Sequence, residues 1–276
     1  MNHDQTPSLI VIGGGAMAQA IVFGAAERGI LDLERCVVVD PSDDKRRLFP
    51  NAAGTADEAV NRIRAFETSQ RAEILLAVKP QSLDAVAQAW SAHASGRVVI
   101  SILAGTTVAK LSSAFPSATP VRVMPNTPAK IGLGMSAIAR PDVPESAATA
   151  RTIFGAIGDV IEIDEAIMDA FTALAGSGPA YVFYLAQAMA TAGASLGLSP
   201  IDADRAARQT ILGAASLLSA EPETTAEELR ARVTSKGGTT AAATCVLDDV
   251  GVLAIVQRAM TAARDRGREL GAQAVS

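Results

Sequence analysis

Histidine and cysteine are nearly absent from this chain, with two of each in 276 residues. His3 falls in an N-terminal tail. His93 sits among Ser91, Ala92, Ala94 and Ser95, in what reads as a loop before a strand. Both are expected at the surface, so the chemistry is expected to proceed without a histidine base. Cys36 and Cys245 lie far apart, form no CxxC pair and lack metal-ligand spacing. They read as small core residues of a protein in the reducing cytoplasm, with no metal. A basic excess is also missing: the net charge is −5, which argues against a nucleic-acid partner. No uninterrupted apolar run reaches the roughly 20 residues of a membrane span, so no membrane is expected. The polar opening MNHDQTPS does not read as a signal peptide. Hydrophobic residues make up 49% and charged ones 19%, the balance of a globular chain.

What is present is organised in two halves. Short apolar runs alternate with helical spacing up to residue 163: SLIVI (8–12), CVVVD (36–40), EILLAV (73–78), RVVISI (97–102), PVRVM (120–124), MSAIA (135–139) and DVIEI (159–163). Near-continuous β-branched runs separated by helices predict a parallel, doubly wound sheet buried on both faces. After Ile163 strand-like runs cease. The expected architecture is an α/β Rossmann-like domain, 1–162, followed by an all-α substrate and dimerisation domain, 163–276.

The first turn carries a fingerprint. Gly13-x-Gly15-x-x-Ala18 follows a strand and opens a helix, the dinucleotide-binding pattern with alanine in third place. Gly13 suits a tight turn, Gly15 a close approach of backbone to pyrophosphate, and Ala18 tight helix–strand packing; Gly14, Ala16 and Met17 complete the loop. Asp40 ends the second strand, where an acid binds the ribose hydroxyls of NAD. Ser42, Lys45, Arg46 and Arg47 follow at once, and a serine with a guanidinium suits a 2′-phosphate; DDKRR as a simple solvated helix face is the equal alternative, so the choice of nicotinamide cofactor stays open. Stiff turns also end later strands, at AVKP (77–80), ILAGTT (102–107) and MPNTP (124–128). Ligands of open α/β sheets bind at this edge.

The second half is greasy. AYVFYLAQAMATAGASLGL (180–198) is apolar nearly all round, so it must be buried, and another subunit is the simplest cover. Ser199-Pro200 marks a helix start, Thr225-x-x-Glu228 is a capping box, and Gly251 is expected to separate helices over 239–249 and 252–270. Two glycine-broken helix starts stand out, GSGP at 176–179 and SKGGTT at 235–240. Bare amides at a helix N-terminus make an anion site. With the cofactor phosphates placed at Gly13–Ala18, those of Gly237, Gly238 and Thr239 suit a substrate carboxylate. A plain N-cap with a flexible approach is the alternative.

LAGSGPAYVF (174–183) and SKGGTTAAA (235–243), with IGGGAMAQAI, AVKP and MPNTP in the same order, resemble the pyrroline-5-carboxylate reductase family over nearly the whole chain. The resemblance implies a reductase that makes L-proline from 1-pyrroline-5-carboxylate with NADPH, NADH being the alternative. It implies a homodimer or higher homo-oligomer, with a decamer in view. It places Gly13–Ala18 on the pyrophosphate and Ala77, Val78, Lys79, Pro80, Leu103, Ala104 and Gly105 along the cofactor groove. Asn126 falls near the nicotinamide. Thr240 would hydrogen-bond the imine nitrogen, with Ser235, Gly237, Gly238, Thr239 and Glu223 about the substrate. The chain departs from the family pattern at Ala16, commonly asparagine, and at Lys236, commonly proline; residues 50–70 match it poorly.

Two other readings share the architecture. A β-hydroxyacid or related imine reductase needs a lysine acid on a helix of the second domain, and Lys236 is the one lysine from residue 160 onward. A nicotinamide-sensing binding protein needs a partner-binding arm, and the sequence shows no charged tail or low-complexity segment.

Overall fold

The computed structural model describes residues 6–67 and 71–273, so His3 lies outside the described residues. One sheet of eight strands forms the first half: β1 (Leu9–Ile12), β2 (Cys36–Val39), β3 (Ala52–Ala53), β4 (Glu73–Leu76), β5 (Val98–Ser101), β6 (Thr119–Met124), β7 (Gly134–Ala139) and β8 (Gly158–Ile163). The spatial order is β3-β2-β1-β4-β5-β6-β7-β8. Strand order reverses beside β1, since β2 pairs on one flank and β4 on the other. That switch point is where such sheets open a crevice for ligands.

The sheet departs from the expected all-parallel form at one pair: β6 and β7 run antiparallel. The cause is the connection between them. A parallel crossover needs a dozen or more residues, usually a helix, and the segment from Met124 to Gly134 holds only a 3-10 turn, Thr127–Ile131. The chain therefore doubles back. β3 was not expected at all; it lies in the segment that matched the family pattern poorly.

Helices cover both faces, as β-branched strands buried on each side require. In the first half they are α1 (Ala16–Glu27), α2 (Asp43–Arg46), α3 (Ala56–Ile63), α4 (Leu83–Ala94), α5 (Val108–Ala114), α6 (Ala148–Ala156) and α7 (Met168–Phe171). Leu9, Val11, Val38 and Leu75 pack with Ile21 of α1 and Ile153 and Phe154 of α6. Ile10, Ile12, Ile74 and Leu76 pack with Ile63 of α3, Leu83 and Trp90 of α4 and Leu111 of α5 on the other face. Alternate residues of one strand thus feed two cores.

Two expectations about rare residues need correction. His93 is on α4, not in a loop. Its Nε2 lies 3.2 Å from Asp57 Oδ1, and its ring meets Trp90 edge-on. Cys36 is buried, and burial pushes its thiol up to about 12. Cys245 is exposed rather than a core residue of the single chain.

Glu73 opens β4 on the face toward α6. Its Oε1 accepts a 2.7 Å hydrogen bond from Thr149 Oγ1, while its buried Oε2 has no partner. Burial raises its carboxyl to about 7, against a smaller opposing effect of the Thr149 bond.

The chain divides into two compact units. One runs to Gly176 and takes in the last helix from Ala263 on; the other is Ser177–Ala262. The sequence division at 162/163 falls before the last residue of β8. Between there and Gly176 stand α7 and a π-helical turn, Thr172–Gly176, which still belong to the first unit. The second unit contains α8 (Gly178–Ser195), α9 (Pro200–Ala220), α10 (Ala226–Arg232), α11 (Thr239–Asp249) and the start of α12 (Val252–Gln273). Gly193 lets α8 approach α9: a Cβ there would stand 3.3 Å from Ala203 Cβ. Ser199 caps α9 by accepting from the Asp202 amide. The capping box is complete, with Thr225 Oγ1 accepting from the Glu228 amide and Glu228 Oε2 from the Thr225 amide.

Within this unit only Ala203 and Ala207 are buried. α8 buries no residue in the single chain, and Phe183 and Tyr184 are 68% and 76% exposed. Among the described residues no single helix is long and apolar enough to cross a membrane.

Candidate cofactor and substrate sites

The glycine loop joins β1 to α1 at the switch point. Gly13 has φ +104°, and a Cβ there would stand 2.6 Å from the Ala77 carbonyl oxygen. Only glycine fits so close to the next strand's end. The Gly13 amide donates to Val39 O at 2.7 Å, which ties the loop to β2. Gly15 faces open space: a Cβ added there would meet nothing within 4 Å. It is the N-cap of α1 and offers no side chain to its amides. Those bare donors, at the positive end of a helix, fit a pyrophosphate. Ala18 is fully buried against the sheet, and Ala16 and Met17 stand at the helix mouth.

Two residues that the sequence did not point to hold this loop. Gln19 Nε2 donates to Gly14 O at 3.2 Å. Phe49, stacked on Phe23 at 5.2 Å between centroids, lies under Gly14, where a Cβ would approach its ring to 3.1 Å. Gln19 stands in the segment IGGGAMAQAI but outside the glycine fingerprint, Phe49 outside any motif, and only the packing reveals what they do.

Asp40 is buried at the end of β2. Its Oδ2 accepts from the Gly14 amide at 2.9 Å and from Lys45 Nζ at 3.3 Å. Its Oδ1 accepts from the Ser42 amide at 2.9 Å. Burial by itself raises the carboxyl; the two amides and Lys45 outweigh it and hold the group below its ordinary value. Ser42 is the N-cap of α2, and its hydroxyl makes no capping bond. Arg46 donates to Asp40 O at 2.7 Å and pairs with Asp43.

The later strand ends meet at the same edge. The Ala77 amide donates to Ile12 O, and the Ile102 amide to Leu76 O, so the loops after β1, β4 and β5 lie side by side. Pro80 starts a 3-10 turn that stops β4 from continuing past Val78 and Lys79. Leu103 is buried, so it can face a ligand only with its backbone, whereas Ala104 is exposed. Gly105 has φ +70° and lies against α12, 3.5 Å from the Gly271 nitrogen for an added Cβ. Asn126 is used at both ends: its Nδ2 donates to Ala175 O and its Oδ1 accepts from the Met135 amide, each at 2.9 Å. It locks the turn after β6 to the π turn and to β7.

In the second unit, α11 opens as the glycines require. Gly237 has φ +72°, and a Cβ on Gly238 would meet Ser235 Oγ at 2.5 Å. Gly238 is the N-cap and supplies no side-chain acceptor; its own amide, expected to be bare, is instead used within the turn, donating to Ser235 O at 3.0 Å. The amides of Thr239 and Thr240 therefore point out of the helix unpaired. Thr240 is half-buried, while Ser235 and Thr239 are exposed. Glu223 is exposed in the turn between α9 and α10. Lys236 lies in the turn before α11 rather than on a helix, which is not where a hydroxyacid reductase keeps its acid.

Comparison with known proteins gives a consistent relationship. A family model described as pyrroline-5-carboxylate reductase dimerisation matches residues 165–270, and one described as NADP oxidoreductase, coenzyme F420-dependent, matches residues 8–105. A pyrroline-5-carboxylate reductase of Synechocystis is 38% identical over 268 residues, covering 95% of this chain and 97% of the relative. The solved pyrroline-5-carboxylate reductase of Coxiella burnetii superposes with TM-score 0.85 at 31% identity, covering 96% of this chain and 99% of that one. The Plasmodium falciparum pyrroline carboxylate reductase, solved with NADP bound, gives 0.82 at 26% identity, covering 97% and 99%.

Proposed function

The chain belongs to the pyrroline-5-carboxylate reductase family, and we infer from this that it reduces the C=N bond of 1-pyrroline-5-carboxylate to give L-proline, with NAD(P)H as the reductant. When bound, the nicotinamide supplies a hydride to the imine carbon. Everything else falls to the chain's own residues.

The substrate is a ring imine that carries a carboxylate. Its nitrogen is basic and binds protonated, so the carbon is already electrophilic and no histidine acid is needed. The remaining task is orientation. The observation that carries this half of the reading is the mouth of α11, where φ +72° at Gly237 and the capless Gly238 leave amides bare. They receive the carboxylate. Ser235 and Thr239 line that mouth, Glu223 is the acid on the substrate side, and the Thr240 hydroxyl meets the imine nitrogen and fixes the ring face. The loop from Gly13 to Ala18 holds the pyrophosphate, residues 77–80 and 103–105 line the groove, and Asn126 keeps its floor rigid. The glycines fit such a ligand because a side chain at Gly13 would strike the Ala77 carbonyl.

The working form is a homo-oligomer built on a dimer, with a decamer as the higher assembly; the exposed apolar faces of the second unit support it. We place it in the cytoplasm, where the unpaired Cys36 and Cys245 suit reducing conditions.

The test mixes full-length protein with 1-pyrroline-5-carboxylate and NADPH, or separately NADH, and follows nicotinamide absorbance. Loss of absorbance with L-proline as product is expected. A protein that binds nucleotide yet leaves the imine untouched would overturn the reading. Thr240→Ala is expected to lower kcat about 100-fold or more, the usual range for a positioned proton-handling group. Thr240→Ser should keep most of the activity.

A further inference from the structure

Nucleotide-binding sheets of this kind tell NADH from NADPH at the end of the second strand, where the adenosine ribose carries either a free 2′-hydroxyl or a 2′-phosphate. We propose that this end of the site is built for the ribose diol, so that NADH is the preferred cofactor and Asp40 the residue that decides it. The inference rests on the reductase reading above and narrows its cofactor.

An ionised carboxylate accepts at about four lone-pair positions. On Oδ2 the Gly14 amide and Lys45 Nζ occupy both. On Oδ1 the Ser42 amide occupies one. One acceptor position therefore remains, on Oδ1 of a carboxylate that is 3% exposed and whose other oxygen already holds the Gly14 amide of the glycine loop. A hydroxyl can donate to it. A phosphate dianion has no proton to give and meets a fixed like charge instead.

Charge balance points the same way. The run DDKRR looks basic enough for a phosphate, but each cation already faces an acid. Lys45 pairs with Asp40, Arg46 with Asp43, and Arg47 with Asp44. Beside them Arg62 pairs with Glu58, whose Oε2 also accepts from the Gly54 amide. Arg46 is held a second time, by the Asp40 carbonyl. Lys45 is half exposed and can swing, but leaving Asp40 strips a buried carboxylate of its cation just as a dianion arrives. Breaking such a pair is costly. The carboxyl is held ionised by the same amides and lysine, so protonation offers no escape near neutral pH.

The experiment is a fluorescence titration of the full-length protein with NADH and with NADPH, without substrate, alongside competition by AMP and by 2′,5′-ADP. NADH is expected to bind about tenfold tighter or more, the scale of one charge-assisted hydrogen bond exchanged for repulsion. AMP should compete better than 2′,5′-ADP. Asp40→Ser should narrow or reverse the preference. Asp43→Ala leaves the Asp40 side-chain bonds in place and removes the acid that faces Arg46, which stays anchored by the Asp40 carbonyl beside the ribose end, so NADPH should tighten several-fold while NADH stays unchanged; this variant decides the matter should Asp40→Ser loosen the glycine loop. Equal or tighter binding of NADPH by the unaltered protein overturns the inference and leaves the reductase reading standing, provided the imine is reduced. An unchanged preference in both variants removes Asp40 and its neighbours from cofactor choice. Binding of neither nucleotide overturns the inference and the reductase reading together.

Discussion

The two units of this chain solve the problem of burial in opposite ways. In the first, Leu9, Ile10, Val11, Ile74 and Leu75 are 0–1% exposed, because helices cover both faces of the sheet. In the second, two alanines are buried and Phe183, Tyr184, Leu185 and Leu253 are more than half exposed. Both are comparably apolar in sequence. The difference is that a sheet with crossover helices closes over its own hydrophobic residues, whereas these helices need a second copy to do so. The first unit's stability is intramolecular; the second's is tied to association and hence to protein concentration.

Breaking the second unit's contacts should give the largest effect. Phe183→Glu places a charge in the face expected to meet the partner. Losing an aromatic anchor costs about 2–4 kcal/mol and raises the dimer Kd about 30- to 1000-fold. Sedimentation velocity should show monomers, and nucleotide binding by the first unit should survive. A dimer of unchanged stability would mean that α8 is not the interface.

The next test strikes the first unit. Leu75→Ala removes a side chain packed in the core beside Val11 and Ile100 and should cost about 2–5 kcal/mol. Denaturant melts read it, and the loss should not depend on protein concentration. Dependence on concentration would erase the contrast between the units.

A smaller effect belongs to Glu73, whose folded-state value lies near 7 against an ordinary 4.5. The native state holds this proton more tightly than the unfolded chain. The associated stability is therefore full below about 4.5 and is lost as pH rises toward 7. Glu73→Gln should remove that slope and gain about 1–2 kcal/mol at pH 8 by sparing an ionised carboxylate its burial. Parallel pH–stability curves for the two proteins would discard this account. The smallest effect is in the second unit: Thr225→Ala removes one half of the capping box and should cost about 1 kcal/mol. The melting temperature should fall slightly with no change in dimer Kd.

Much of this architecture can be read from the chain alone. Seven strands, the glycine turn, the Ser199 and Thr225 caps and the break at Gly251 all carry local signatures, because each is enforced within a few residues. What escapes is set by distance. The reversal between β6 and β7 depends on how short their connection is, not on either strand's composition. β3 has no hydrophobic pattern to show, being two alanines. His93 sits among small residues, serines and alanines, that resemble a loop, but Trp90 anchors their helix. The site behaves likewise. Gly13, Gly15, Gly237 and Gly238 announce themselves, while Gln19 and Phe49 are found only by packing. The meaning of DDKRR is decided by which acid each cation meets, and that pairing is invisible in one dimension.

The brevity of β3 has a consequence outside catalysis. It is one rim of the sheet and adds just two residues to β2, at Val38–Ala52 and Val39–Ala53. The opposite rim, β8, carries Asp159 and Glu162. A growing fibril recruits molecules through long, flat, uncharged strand edges. This sheet presents a stub on one side and two acids on the other, so even when crowded or stripped of its partner it gives a neighbouring chain little to add to.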